Sequence, residues 1–374
     1  MKLTLAVLAF FSAASLPAAY NYQVLSGASE GAMVSRTISG TDHTYVAYRD
    51  ASGSLAVARP IHGLLSPVTV WANMPPSNTS INVSTSGMVL VTFWSGNKYR
   101  YAMSISSGNG NCGPASDWQC GDVPLPTGMT ATSIGRIHGD VDSTSRAHFI
   151  YAFRNPGIST VGNGLYYRSR HFLTGVWSGS NRIFGPGGAL LNTQLPTAVY
   201  VGTAASPANL HFTSYGGSGV YIGSSGNLPA TPSWTVTNIP VTNSAYGSAD
   251  TTRGPSAFCD VTSAVPAQVR VTRRSTTTGV WLGSTTVYNA SQPSPATAHC
   301  SISERPSGGG TVALTSTVGI VSVANTSAAN WTGWALTTVD SSSTFSKTSV
   351  GHSSSGKILV LYHGAGYLKF ASEQ

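Results

Sequence analysis

A β-hairpin written seven times over constrains this chain more than anything else in it. Its clearest copy is the last, residues 358–371, reading ILVLYHGAGYLKFA. A β-rich apolar run ends on Tyr362-His363, Gly364 and Gly366 supply the turn, and residues 367–371 return. The same pattern stands upstream in 45–49 with 55–58, 91–94 with 99–102, 150–154 with 165–167, 211–215 with 220–223, 269–273 with 280–283, and 312–315 with 320–324. Anchored on Tyr48, Phe93, Phe153, Tyr215, Arg273, Thr315 and Tyr362, the copies lie 45, 60, 62, 58, 42 and 47 residues apart. A four-stranded propeller blade takes about 40–50 residues, and insertions lengthen it. The spacing predicts an all-β chain folded as a single seven-bladed β-propeller. The competing reading is a sandwich of seven unrelated hairpins.

Each blade then needs an inner strand before its hairpin and an outer one after it. Inner strands are expected at 33–38, 81–84, 133–137, 197–201, 256–261, 300–303 and 348–351. Outer strands, several marked by Trp, are expected at 68–71, 118–123, 177–184, 234–239, 285–288 and 334–339. The last hairpin leaves three residues after Ala371, too few for an outer strand. Residues 20–25 (YNYQVL) have no hairpin partner of their own, and pairing them with 367–371 closes the ring and removes its free edges. No helix or linker stands out, so residues 20–374 form one domain.

Residues 1–19 read as a signal peptide, with Lys2 in the positive region, 3–11 as the apolar core and Pro17-Ala18-Ala19 as the cleavage site. The apolar run is too short to span a bilayer. Sequons at Asn78, Asn82, Asn289, Asn325 and Asn330 suit a secreted glycoprotein, and so do four cysteines. Cys112 and Cys120 bracket a short loop and are expected to pair. Cys259 and Cys300 occupy equivalent inner-strand regions of blades five and six, where a bridge between neighbours competes with two buried thiols. Four cysteines allow three connectivities.

Only 9% of residues are charged, and the net charge of +8 comes without Lys/Arg runs, which argues for a solubility surplus and against a nucleic-acid partner. The expected partner is a small molecule or glycan, with no membrane contact, and the chain is expected to act as a monomer. Catalytic motifs are mostly missing. Residues 108–113 (GNGNCG) match GxGxxG by letter but lack the flanking strand and helix that a pyrophosphate site requires. Residues 139–146 (GDVDSTSR) resemble one propeller calcium loop without its later acidic ligands. No HExxH or CxxC occurs, and neither metal nor cofactor is expected. Glycosidases need paired carboxylates, and only Glu30, Asp50, Asp250 and Asp260 stand near one face.

That face carries basic and aromatic groups instead. The middle turn of each blade and the start of its inner strand share a rim, which would gather Tyr48-Arg49-Asp50, Trp94, Lys98, Arg154, Tyr215, Arg273-Arg274, Tyr362-His363, Glu30, Arg253 and His299. The aromatic just before each turn is expected to pack between blades, and the residue after it to face a central funnel.

The hairpins YVAYRDASGSLAVA and LYHGAGYLKFAS resemble those of BNR-type and fucose-lectin-like propellers. Some of these relatives are polysaccharide lyases with a catalytic His-Asn before the second blade's inner strand, where this chain has Ser77-Asn78-Thr79. In size, leader and low charge the chain is also similar to secreted lectin-like propellers of fungal natural-product clusters, which include hetero-Diels–Alderases. That resemblance implies a cofactor-free lyase and cyclase in secondary metabolism, dehydrating and cyclising a small substrate in one funnel. His363, Tyr362, Arg49, Arg154 and Arg274 would be catalytic. Tyr48, Asp50, Trp94, Lys98, Tyr215, Arg253, Arg273 and His299 would bind substrate. The alternatives are a uronate-polymer lyase and a lectin without catalysis.

Overall fold

The computed structural model describes residues 19–61, 64–104, 111–113, 117–129, 135–153, 162–191, 195–201, 208–216, 219–228, 232–239, 244–249, 257–262, 268–273, 281–289, 299–305, 308–316, 319–327 and 331–374. Seven four-stranded antiparallel sheets form a seven-bladed β-propeller. Six are consecutive in the chain, and the seventh is completed by Tyr20–Ser26, which pairs antiparallel with Tyr367–Glu373. Gln23 on this closing strand reaches across to the main chain of Leu65 in the outer strand of blade one.

The apolar core is divided among the gaps between blades, because each sheet is covered on both faces and successive side chains point to opposite ones. The second strand of blade two, Val89–Ser95, is accordingly buried along its whole length. Its Phe93 packs toward Trp71 of blade one, and its Trp94 toward blade three, edge-on to Tyr99 at 4.9 Å. Burying one such side chain stabilises the fold by about 1.5–3 kcal/mol.

The seven inner strands surround a central channel: Ser29–Ile38, Ser77–Val83, Ile137–Val141, Leu195–Val201, Ser244–Ala249, His299–Glu304 and Ser346–His352. Two frames differ from expectation. In blade three the inner strand begins at Ile137 instead of ending there. In blade five, residues 256–261 fall on the second strand, Ala257–Thr262, and Gln268–Arg273 is the third. The alternation of Val269, Val271 and Arg273 fits a second or a third strand equally well, which is why the pattern misled. Arg273 therefore ends at the face opposite the expected rim.

Both disulfides are formed, Cys112–Cys120 within blade two and Cys259–Cys300 between blades five and six. Cys259 lies on a second strand and Cys300 on an inner one, not at equivalent positions. No helix among the described residues is long and apolar enough to cross a membrane.

A five-residue turn recurs. An Asp or Ser oxygen accepts the N–H four residues on, in Asp50–Ser54, Ser84–Met88, Asp142–Arg146, Ser316–Ile320 and Ser353–Lys357. The calcium-like loop is one of these turns. The Asp142 carboxylate is occupied by the Thr144 and Arg146 N–H groups, the Thr144 hydroxyl and His148 Nε2.

Candidate functional site

At one end of the channel the inner strands begin irregularly. Register shifts mark the first residues of the inner strands in blades one, two, four, five and seven. A bulge sets two residues against one and re-aims a side chain. Three of these bulges hold a non-glycine residue in the left-handed region: Glu30 at φ 54°, Asn78 at φ 49° and Lys347 at φ 31°. L-residues avoid this region, and such strain concentrates at functional sites. All three line a cavity of about 200 Å³ whose walls also include Arg136, His138, His299, Thr348 and His363.

A polar belt runs round this mouth from blade six to blade three. His299 Nδ1 accepts the Thr348 N–H at 3.1 Å. Lys347 Nζ stands 3.7 Å from Glu30 Oε2, which accepts the Asn78 N–H at 3.3 Å. Asn78 Nδ2 donates to the Gly135 carbonyl at 3.3 Å, beside Arg136. His363 Nε2 donates to the Gly31 carbonyl at 3.1 Å.

These bonds fix the same tautomer, protonated on Nε2, in two rings that are held by opposite nitrogens. A carbonyl can only accept, so His363 carries its proton on Nε2 and keeps Nδ1 as a basic lone pair. A backbone N–H can only donate, so His299 in its neutral form has its proton on Nε2. Burial, reinforced by Lys347, brings the His363 imidazole down to about 4. Burial, with Arg136 adding to it, brings His138 down to about 3. Burial, then His363, Lys347 and Arg136, holds His299 well below the ordinary range. Three neutral imidazoles thus face the channel at pH 7, next to two cations and one carboxylate. The group can take a proton at one ring, donate a hydrogen bond at another and stabilise an oxyanion with its cations.

Toward the other end of the channel the polar side chains are engaged with one another or with main chain. Asn82 Nδ2 donates to the Val199 carbonyl at 2.9 Å and reaches Gly139 O at 3.4 Å, spanning from blade two to blade four past a residue with no side chain. Ser35 bonds to Thr44 and to the His352 carbonyl, and His352 bonds to Ser303 and Thr311.

Of the residues read from sequence, the structure brings His363, His299 and Glu30 into the cavity. Others belong elsewhere. Tyr362 is fully buried between blades six and seven, donating to Asp340 Oδ2 at 2.8 Å with Phe345 edge-on at 4.8 Å. Tyr48 packs in the core between blades seven and one, and Trp94 in that between two and three. Asp50 caps its own turn through Ser52 and Ser54, and the exposed Arg49 folds over Gly53 of that turn. Lys98 is exposed and pairs with Asp122 at 2.5 Å. The physical reason is shared: second and third strands stand about 5 Å or more behind the inner wall, so their side chains meet neighbouring blades. Arg154, Arg253 and Arg274 lie outside the described residues, as does the side chain of Tyr215.

Among the sequons, Asn78 and Asn82 point into the channel, and the buried Asn82 amide has no room for a glycan in the folded ring. Asn325 is half-buried on a third strand, the backbone of Asn289 ends an outer one, and Asn330 lies outside the described residues.

No family model matches the sequence, and no curated protein matches it. Solved structures do. An ulvan lyase, a polysaccharide lyase bound to -[GlcA(1-4)Rha3S]-, superposes with a TM-score of 0.57 at 11% identity, covering 93% of this chain and 94% of that one. AofleA from Arthrobotrys oligospora gives 0.52 at 12% identity, covering 87% and 90%. An Aleuria aurantia lectin variant in complex with α-methyl-L-fucoside gives 0.50 at 14%, covering 82% and 93%. The fold is that of lectin- and lyase-type propellers. At such identities the likeness carries the fold and no site residue with it.

Arg136, His138, Asn78 and Lys347 were missed as site residues. The misplaced inner strand of blade three hid the first two. For the others a signal existed: Ser29-Glu30, Ser77-Asn78 and Ser346-Lys347 repeat a Ser-plus-polar pair at three of the five bulged starts.

Proposed function

We propose that the chain is a secreted, cofactor-free propeller enzyme that uses this single mouth for dehydration and ring closure of a small organic substrate. One observation carries the reading: an imidazole with a basic Nδ1, a second imidazole held through its Nδ1 and two cations meet once in the ring and are not repeated from blade to blade among the described residues. His363 Nδ1 takes the proton of an enolic or phenolic hydroxyl. The freed electron pair moves through the conjugated system and expels a hydroxyl group, which leaves as water with a proton from the Lys347 ammonium. His363 then returns its proton to the Lys347 amine. The quinone-methide product adds to an alkene held in the same cavity, where positioning alone is worth several orders of magnitude in rate. General acid–base assistance contributes roughly 10²–10⁴.

A simple probe is 2-(hydroxymethyl)phenol with an excess of an electron-rich alkene, the adduct being followed by mass spectrometry. Wild-type protein should form adduct above background, and His363→Ala should lose roughly 10²–10⁴ of that rate. No enhancement by wild type counts against dehydration. A second reading, β-elimination from a uronate polymer, is favoured by the fold shared with the ulvan lyase and by cations able to neutralise a carboxylate. Unsaturated oligosaccharides released from ulvan would establish it. A lectin that reuses one pocket per blade is disfavoured, because the residues that follow the hairpin anchors, Arg49, Trp94, Gly216 and Ser316, differ from blade to blade.

A further inference from the structure

Arg136 stands apart from the other charged groups of the mouth. It lines the cavity from the start of blade three's inner strand, half-buried, and its backbone is fixed by the Ala152 N–H donating to its carbonyl at 3.0 Å. Its guanidinium has no hydrogen bond or ion pair among the described residues. The one carboxylate in the lining, Glu30, is engaged with Lys347 and the Asn78 N–H. A partly desolvated guanidinium without a counter-ion is a poor structural element and a good recognition element, since it offers a planar fork of donors to an oxyanion. Its field reaches His138 beside it and His299 across the channel, whereas His363 answers to Lys347. The mouth is therefore divided, with proton-transfer groups toward blade seven and an unanswered positive charge toward blade three.

We infer that Arg136 is a specificity-determining residue that admits substrate as an oxyanion, either an ionised enol or a carboxylate, and seats the charged oxygen against blade three. This rests on the funnel being the substrate site. It goes further by stating the charge that the substrate carries and which wall holds it.

The test is calorimetric titration of the full protein at pH 8, with tropolone as the ionised enol and glucuronate as the carboxylate. The neutral comparators are tropolone methyl ether and methyl glucuronate. One of the two anions should bind roughly 10- to 100-fold more tightly than its neutral ether or ester, as expected for a charge-assisted pair. Arg136→Gln should abolish that preference while leaving affinity for the neutral ligand within about threefold. Arg136→Lys should restore only part, because the fork is lost. Lys357→Met, an exposed change at the far end of the ring, should leave the preference intact, and melting of each variant checks folding. Whichever anion is preferred distinguishes the enol from the carboxylate. Equal binding of charged and neutral probes overturns the inference, as does no binding of either anion, or a preference that survives in Arg136→Gln. An Arg136-dependent preference without any dehydration sinks the proposed reaction and leaves this inference standing. Dehydration at an unchanged rate in Arg136→Gln does the reverse.

Discussion

The two ends of the channel are built from the same seven strands and obey different rules. At the far end, Ser35, Asn82, Ser303, Thr311 and His352 bond to one another or to neighbouring main chain. At the open end the strand starts are bulged and hold Glu30, Asn78 and Lys347 in a disfavoured backbone region. There, three imidazoles stay neutral and one guanidinium has no partner among the described residues. One end spends its polar groups on holding the ring, and the other keeps them available. Mutations at the two ends should therefore separate stability from activity.

The widest break removes both ends together. Deleting residues 20–26 takes away the outer strand of blade seven, and the cooperative unfolding transition should disappear from a thermal melt. Unchanged melting would show that the ring closes without it. The disulfides come next. Serine at both Cys259 and Cys300, which are 41 positions apart, should cost about 4 kcal/mol, against about 2.5 for the pair Cys112 and Cys120, which are 8 apart. Denaturant titration compares them, and the larger loss should also lower activity because Cys300 adjoins His299. At the far end, Asn82→Leu takes away the side-chain donor to the Val199 carbonyl and should cost about 1–3 kcal/mol, with turnover per folded molecule kept. His363→Ala should show the opposite, a large loss of turnover with little change in melting. If both variants lose stability alike, the division between the ends is wrong.

The smallest effect is in acid and leaves the mouth out. Burial alone would raise the Asp340 carboxyl, but Lys369, Ser342 and Tyr362 outweigh it and bring it down to about 2. Asp142 is brought down to about 2 against burial by His148, Arg146 and Thr144. A carboxylate depressed in the folded state adds stability above its unfolded value near 4, and that stability is lost as pH falls toward 2. Melting temperature should fall over that window, and less so in Asp340→Asn.

The ring was legible because its signal is collective. Seven hairpins at blade-like spacing outweigh any one misread, so the misplaced frame in blade five did not disturb the fold. The site had no such redundancy. It is built at strand starts, where a slip of a few residues moves Arg136 and His138 from the channel wall into a loop. Turn residues were overrated because charge near a turn suggests a ligand, whereas Asp50 holds its own turn together. His363 was found because it sits beside a glycine turn that the repeat marks clearly.

Closure by the N-terminal strand also sets the order in which the site comes into being. His363 meets Gly31, and Lys347 meets Glu30, only across the seam between blades seven and one. Those partners are separated by nearly the whole chain, and the final blade cannot form until its last strand is made. A nascent or truncated chain therefore has no competent mouth, however many blades it has assembled. The mouth in this design is a late property of the chain, and the appearance of ligand binding during refolding should time the closing of the circle.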